Sequence, residues 1–454
     1  MLNPLCRSLM SISPLPLLVP SFPPPNPPLP PELIDQIIRS LPLYPARNRR
    51  RALGRCCLVN RLFLDISRPL LYNEVPAMLE EPEVAAGRQL DRLTETLASS
   101  SACREMVKGV KLSTYEGELG LDGYESVDVF LREAKQLEAV RVVWIGEEGL
   151  DESGFDVSPM FNMRSDVRIG YYLVTSILRH QPGLKQLVLP TQCHLEYDIF
   201  AAVFTKLLNL DTFVGSFVTL SDRDNKPFLS PCHLQHLTIC SRFEHSLFRQ
   251  VVHSSYTSLT SFTFPLDTAD NPLDLSIFPN LNYLHISLRS RPALSVINRT
   301  YATTSEHFAR FVAQTLRPLL LSAQSLAIST FKITTPSQNV ETFMSQQQIF
   351  DLLPPTLAHL TSNPLLLRAH ESNFEILAKD MRDRSYPHLK TITLQPSGTP
   401  DRFNREEEVK QAVERVCRLF KIQLNVIDRE EECCRMEEKW RESWWSESEE
   451  ESEG

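Results

Sequence analysis

Residues 184–215 read LKQLVLPTQCHLEYDIFAAVFTKLLNLDTFVG and contain one short pattern twice, as LKQLVL and LDTFVG. Positions one, four and six of the pattern are apolar, apart from Gly215 at the end of the second copy. Between the two copies, six apolar residues share one face of a predicted helix: Ile199, Phe200, Val203, Phe204, Leu207 and Leu208. A strand and a helix that cannot bury their apolar faces alone become stable by stacking on copies of themselves. The stretch therefore predicts an α/β architecture built from repeats.

The pattern recurs along most of the chain. Further copies are VKGVKL at Val107, LEAVRV at Leu137, LQHLTI at Leu234, LTSFTF at Leu259, LNYLHI at Leu281 and LKTITL at Leu389. Weaker copies are AQSLAI at Ala323 and LAHLTS at Leu357. The best-defined starts, from Leu184 to Leu281, are 26, 24, 25 and 22 residues apart. The segments EEVKQAVERVCRLF and IQLNVID predict a last helix and strand that close the array.

This part of the chain resembles leucine-rich repeats, whose period of about 20–29 residues includes these spacings. The resemblance is degenerate, because other residues stand where regular repeats have Asn: Gln192, Arg242, Asp267 and Arg289. We therefore expect an irregular leucine-rich-repeat-like α/β solenoid over residues 76–428. Positions one, four and six of each copy are predicted to point into its core.

The amino-terminal part has a different pattern. Behind a proline-rich leader, residues 1–28, which we expect to be disordered, LPPELIDQIIRSLP (residues 29–42) predicts a short amphipathic helix. Its apolar stripe is Leu33, Ile34, Ile37, Ile38 and Leu41. A second helix is predicted from about Arg51 to Ser67, with Ala52, Cys56, Val59, Phe63, Ile66 and Leu70 on one face and Leu58 and Leu62 on a smaller one. Two such helices have more apolar surface than they can bury together, so the rest of the chain or a partner must cover it.

Residues 29–75 resemble the F-box, particularly the large fungal set. The resemblance lies in the opening LPPE, the CLVNR segment before an aromatic residue, and the closing PLLY. The F-box is the helical module that docks substrate receptors onto the Skp-type adaptor of cullin–RING ubiquitin ligases. By this resemblance the residues that face the adaptor are Leu29, Pro30, Glu32, Leu33, Ile37, Leu41, Val59 and Phe63. Phe63 stands where the family usually has Trp.

The resemblance implies a substrate-recruiting subunit of an SCF-type ligase, acting in ubiquitin-dependent protein degradation without cofactor or enzymatic activity of its own. Its partners would be the Skp-type adaptor, through it a cullin–RING ligase, and a protein target. Strand residues that alternate outward are candidates for binding the target: Lys185, Gln186, Gln235, His236, Thr260, Tyr283, His285 and Lys390. The alternative is a repeat scaffold for protein interactions, whose F-box-like helices only cap one end of the solenoid.

Charge and cysteine usage limit the other function classes. The 454 residues have a formal net charge of −9, and residues 429–454, with eleven Glu against four Lys or Arg, form an acidic tail that we expect to be disordered. Because the remainder is close to neutral, nucleic acid and membrane are not expected partners. The ten cysteines form no CxxC motif, which favours a reducing compartment, the cytoplasm or the nucleus.

Candidate chemistry is sparse. Cys232, His233, His236 and Cys240 invite a zinc interpretation, but the repeat frame points the residues between them inward and no second ligand pair follows, so we expect no metal site. The chain has no G-x-S-x-G, glycine-rich phosphate loop or H-E-x-x-H motif, and we expect no catalytic residue. In the acidic tail, Ser446 and Ser448 each have Glu three residues on, a pattern preferred by acidophilic kinases, and are candidate phosphorylation sites.

Overall fold

The computed structural model describes two compact units, Met1–Leu70 and Leu71–Gly454. The described residues are 32–34, 38, 52–53, 55–59, 61–72, 74–78, 86–115, 121–145, 163–190, 193–218, 227–240, 245–267, 273–289, 312–334, 353–362, 386–394 and 403–426. The predicted leader (1–28) and acidic tail (429–454) lie outside them.

The described residues of the first unit are helical, with one turn. The second predicted helix is interrupted: the Leu58 amide donates to the Arg55 carbonyl at 3.0 Å, and the Val59 amide to the Cys56 carbonyl at 3.1 Å. These hydrogen bonds, each to the carbonyl three residues earlier, form a turn at residues 58–59. Helix α1 (Arg61–Tyr72) follows. The prediction of one continuous helix from Arg51 to Ser67 is therefore wrong.

The second unit alternates strands and helices. Its strands are β1 (Glu74–Met78), β2 (Gly109–Tyr115), β3 (Ala139–Ile145), β4 (Gln186–Val188), β5 (His194–Glu196), β6 (Thr212–Val218), β7 (His236–Ile239), β8 (Ser261–Asp267), β9 (Tyr283–Arg289), β10 (Thr330–Thr334), β11 (His359–Ser362), β12 (Thr391–Leu394) and β13 (Gln423–Val426). Its helices are α2 (Ala86–Ser99), α3 (Ser101–Met106), α4 (Leu121–Glu133), α5 (Met163–His180), α6 (Tyr197–Lys206), α7 (His245–Val251), a π-helical turn (Val312–Leu316) leading into α8 (Arg317–Ala323), and α9 (Phe403–Phe420). Among these described helices, none has the length and apolar character needed to span a membrane.

Every strand pair that the structure describes is parallel, so the predicted α/β class is confirmed. Strands follow one another in chain order across the sheet, with β4 beside β6 and the short β5 paired only with β6. Because parallel crossovers are right-handed, an order that advances in one direction places the connecting helices on one face of the sheet. In agreement, α2 packs against α4, α4 against α5, and α5 against α6. Among the described helices, none is a crossover on the other face.

The core lies between the sheet and these helices, at positions one, four and six of the pattern. In the copy LKQLVL, for example, Leu184, Leu187 and Leu189 are all buried. The register places the fourth-position side chains of Leu187 and Phe213 directly side by side on β4 and β6. The eight stronger copies are buried at all three positions, which confirms the predicted inward set.

One repeat differs in frame from the prediction. Thr330 of β10 is the register partner of Tyr283 of β9, so the copy that contains β10 is ISTFKI and starts at Ile328. The predicted start at Ala323 is five residues too early. Ala323 is the last residue of α8 and does not begin the segment that leads into the strand. The weaker copy at Leu357 is in frame, since His359 of β11 pairs with Thr330.

Two further features differ from the sequence prediction. Strand β1 was not predicted, and the proposed domain boundary at residue 75 falls inside it. Pro76 lacks an amide proton, and β1 tolerates it as the terminal strand of the described sheet, paired only with β2. Leu208, predicted to lie on the buried face of α6, is exposed because the helix ends at Lys206.

Candidate binding face of the sheet

The described residues present three rows of side chains on the face without crossover helices. The third position of each copy forms one row, in which Gly109, Ala139, Gln186, Thr212 and His236 are successive register partners. The fifth position forms a second row, which begins Lys111, Arg141, Val188 and Val214. Such rows follow from the two-residue period of a strand, since alternate side chains point to opposite faces.

The second position of each copy forms a third row at the amino ends of the strands. Here the backbone carbonyl accepts hydrogen bonds from two amides that precede or begin the next strand. The Glu138 carbonyl oxygen accepts from the amide nitrogens of Lys185 and Gln186, both at 2.9 Å. The Lys185 carbonyl in turn accepts from Asp211 at 2.8 Å and Thr212 at 3.1 Å. These bonds hold the second-position side chains in line across neighbouring strands.

Charges alternate along the first part of this row, in the order Lys108, Glu138, Lys185 and Asp211. Lys185 Nζ lies 2.7 Å from Glu138 Oε2, and Lys108 Nζ lies 3.8 Å from Glu138 Oε1. The hydrogen bond from Lys185 is the main reason that the pKa of the Glu138 carboxyl is lowered. The same bond, together with the charge of Glu138, raises the pKa of Lys185. Glu138 and Lys185 are therefore both ionised at neutral pH.

A groove of about 280 Å³ lies on strands β2 to β4 at this end of the sheet. The small third-position residues Gly109 and Ala139 line it, where larger side chains would fill the space. Its charged residues are Lys108, Glu138, Arg141 and Lys185. Only Lys185 of these was among the sequence candidates. The others could have been found by reading the second and fifth positions of every copy, VKGVKL and LEAVRV included.

Near β8 and β9, outward-pointing side chains of this face are buried. At the fifth position, Thr263 and His285 are register partners and both are buried, His285 at 3% exposure. His285 Nε2 lies 3.0 Å from Thr334 Oγ1 of β10. The prediction that His285 lies on an open binding face is therefore wrong, since its ring is packed and hydrogen-bonded.

The other candidate residues occupy the predicted face in two rows. Lys185, Gln235, Thr260 and Lys390 are in the second-position row, and Gln186, His236 and Tyr283 are in the third-position row. All are exposed except Thr260 and Tyr283, which are half-buried. Burial raises the pKa of the Tyr283 hydroxyl. The exposed candidates are thus split into a group on β4 to β7 and Lys390 beside β12.

The four residues considered for zinc have separate environments. The Cys232 thiol is buried and lies 3.2 Å and 3.1 Å from the carbonyl oxygens of Phe204 and Leu207, and burial raises its pKa. His233 Nδ1 lies 2.8 Å from the Ser254 carbonyl oxygen, while His236 is exposed. Within the described residues no group of three or more His, Cys, Asp or Glu side chains could hold a metal ion.

One cluster contains the residue types of a hydrolase triad without its geometry. Asp128 of α4 accepts a hydrogen bond from Ser176 Oγ at 2.5 Å and lies 3.1 Å from His180 Nε2. In a catalytic triad the histidine stands between the serine and the carboxylate. Here the carboxylate stands between the other two, so the histidine is not placed to activate the serine. The cluster joins α4 to α5.

Four of the residues predicted to face an adaptor are among the described residues. Glu32, Leu33 and Val59 are exposed, Leu33 at 44% and Val59 at 62%, and Phe63 is half-buried. In contrast, Ile34 and Ile38, from the same predicted stripe as Leu33, are buried. The predicted adaptor residues Leu29, Pro30, Ile37 and Leu41, and the candidate phosphorylation sites Ser446 and Ser448, lie outside the described residues.

Comparisons with known proteins add no relative: no protein-family model matches the chain, and no curated protein matches it.

Proposed function

We propose that this protein is a substrate-recruiting subunit of an SCF-type ubiquitin ligase. Its F-box would bind the Skp-type adaptor, and its second unit, a leucine-rich-repeat-like solenoid, would bind the target protein. The observation that carries the proposal is the exposure of Leu33 and Val59, two predicted adaptor residues, beside the buried Ile34 and Ile38. Exposed apolar side chains next to a formed core are typical of a surface that a partner covers.

The arrangement of the second unit supports the receptor part of the proposal. Strands that advance in one direction leave one sheet face without crossover helices in the described part of the chain, and exposed polar residues such as Gln186 and His236 lie on it. A receptor of this kind performs no chemistry. It accelerates ubiquitin transfer by holding the target close to the conjugating enzyme. Such a subunit would work in the cytoplasm or nucleus, the compartments that the cysteine usage favours.

The proposal is tested by co-purification of the full chain with a Skp-type adaptor. The double substitution of Leu33→Asp with Val59→Asp should weaken adaptor binding by at least about 100-fold, because burial of each such side chain is worth about 1.5–3 kcal/mol. Asp65→Arg is the matched control: Asp65 is exposed, belongs to the same unit and is not a predicted adaptor residue. It should bind like the unchanged protein.

The same experiment distinguishes the ligase subunit from the alternative, a repeat scaffold whose F-box-like helices only cap the solenoid. If the helices only cap the sheet, the unchanged protein does not retain the adaptor, and the double substitution lowers the melting temperature instead. Adaptor binding that survives the double substitution in a folded protein would also reject the proposed docking surface.

A further inference from the structure

The groove on β2 to β4 has an excess of positive charge. Lys108, Arg141 and Lys185 line it together with one carboxylate, Glu138, and both lysines are already paired with that carboxylate. Among the described residues, none forms a hydrogen bond or an ion pair with Arg141, which is exposed.

Arg141 is therefore the cation of the groove that no described carboxylate balances. An anionic group seated in the groove would pair with Arg141, and further carboxylates of the same segment would lie near Lys108 and Lys185.

The chain itself contains a segment rich in carboxylates. The acidic tail has a charge of −7 from eleven Glu and four Lys or Arg, and its last eight residues, SESEEESE before Gly454, contain no cation. It follows β13, which belongs to the same unit as the groove.

The tail is long enough to reach the groove. Nine strand spacings separate β13 from β3, which at about 4.8 Å each makes roughly 43 Å along the sheet. From Val426, the last residue of β13, to Glu447 there are 21 residues, and a chain of that length spans at most about 70 Å. A covalently linked segment also has a high effective concentration at its own binding site, which compensates for weak electrostatic affinity.

We propose that the β2–β4 groove binds acidic peptide segments and that the chain's own tail, residues 446–453, occupies it intramolecularly. An acidic segment of another protein then has to displace the tail before it can bind this part of the face. The inference is independent of the ligase proposal, because it concerns only the second unit and needs no adaptor.

Zero-length carbodiimide crosslinking of the full chain, read by mass spectrometry, tests the contact. Tail glutamates should crosslink to Lys108 and Lys185 at least about five times more than to Lys390. Lys390 is the matched control, because it is exposed, holds the same second position beside β12 and lies nearer to the start of the tail. Crosslinks between Glu138 and Lys185, whose charged atoms are 2.7 Å apart, report that the reaction worked. Tail crosslinks that favour Lys390, or none to the groove, would overturn the proposal.

Two variants and an isotope control complete this test. Arg141→Glu should reduce the tail crosslinks at least about five-fold, whereas Lys332→Glu, in the same fifth-position row on β10, should leave them unchanged. Equal loss in both variants would mean nonspecific attraction and would reject the groove. In a mixture of light and heavy isotope-labelled chains, the crosslinks should join segments of one isotope only. Mixed pairs would show that a second copy supplies the tail, and would reject the intramolecular contact.

A binding measurement tests the displacement. A fluorescent peptide of residues 442–454 should bind a full chain in which Glu447, Glu449, Glu450 and Glu451 are changed to Gln at least about five times more tightly than the unchanged chain, because its own tail no longer competes. Equal affinity for the two chains would overturn occupation of the groove by the tail.

Discussion

The side-chain amide of Gln181 donates a hydrogen bond to the carbonyl oxygen of Ala134 at 2.9 Å, and a second one to the carbonyl oxygen of Leu131. Gln181 follows α5, and the two carbonyls belong to the carboxyl-terminal end of α4, where intrahelical partners are missing. Because Gln181 is 2% exposed, water cannot replace these bonds.

We therefore predict that Gln181→Leu lowers the free energy of unfolding by about 1–3 kcal/mol, the cost of leaving buried acceptors unsatisfied. Urea unfolding monitored by circular dichroism gives the value. Gln186→Leu, at an exposed position of β4, is the control and should change stability by less than about 0.5 kcal/mol. Equal effects of the two substitutions would contradict the capping role.

Gly215→Ala should destabilise the sheet. A Cβ atom at Gly215 would lie 2.9 Å from Phe213 Cζ, and the Phe213 ring is held edge-on between Phe200 and Phe204 at centroid distances of 5.9 and 4.9 Å. Overpacking of this kind costs about 1–3 kcal/mol. The melting temperature measures it.

The control for this prediction is Gly183→Ala. A Cβ atom there has no neighbour within 4 Å, so the substitution should be neutral or slightly stabilising. If Gly215→Ala melts at the same temperature as Gly183→Ala, the Phe213 ring has room to move and the packing argument fails.

Asp128→Asn should reduce stability at neutral pH but not in acid. Burial alone would raise the pKa of the Asp128 carboxyl, but the hydrogen bond from Ser176, with His180 and Arg179, outweighs it and lowers the pKa below its ordinary value of 3.8. The folded protein therefore binds this proton less readily than the unfolded chain, and the resulting stabilisation is present above pH 3.8 and lost as the pH falls towards the folded-state pKa.

Melting temperatures of the unchanged and Asp128→Asn proteins should consequently differ at pH 7 and converge below pH 3.8. Asp65→Asn, on the exposed side of α1, should give no difference at either pH. A difference for Asp128→Asn that is the same at both pH values would show that its charge has no part in joining α4 to α5.

Cys417 of α9 should alkylate much more slowly than Cys56 in the folded protein. Burial, with the charge of Glu414, raises its pKa from 9.0 to about 11, so its thiolate fraction at pH 8 is about 100-fold below that of an ordinary cysteine. Iodoacetamide labelling followed by mass spectrometry should show protection in the native protein and rapid reaction in urea. The half-buried Cys56 provides the comparison. Equal native rates at the two sites would contradict the buried environment of Cys417.

The sequence predicts the alternating strands and helices well because each strong copy buries the same three positions. The prediction of a repeat's start fails where two sets of apolar residues with the same spacing overlap. Ala323, Leu326 and Ile328 are buried, and so are Ile328, Phe331 and Ile333, so apolarity alone cannot choose between the two frames. Only the register with β9 identifies the second set.

The candidate site was predicted in part for a similar reason. Outward positions follow from the strand period, so Lys185 and His236 could be placed on the face. Whether a given outward residue is covered depends on packing that the period does not contain, and His285 is buried for this reason. The adaptor residues stay a prediction, supported by the exposure of Leu33 and Val59.

The unbroken register of the sheet constrains how an extended ligand can be recognised. A peptide lying across the strands advances about 3.3 Å per residue, whereas the strands beneath it are about 4.8 Å apart, so three peptide residues match two strands. Side chains of the peptide therefore align with side chains of the sheet only on every second strand. The strands between contribute little to binding. Selectivity would arise from a few widely separated anchor points, and neighbouring strands could diverge in sequence without cost to the ligand that is bound.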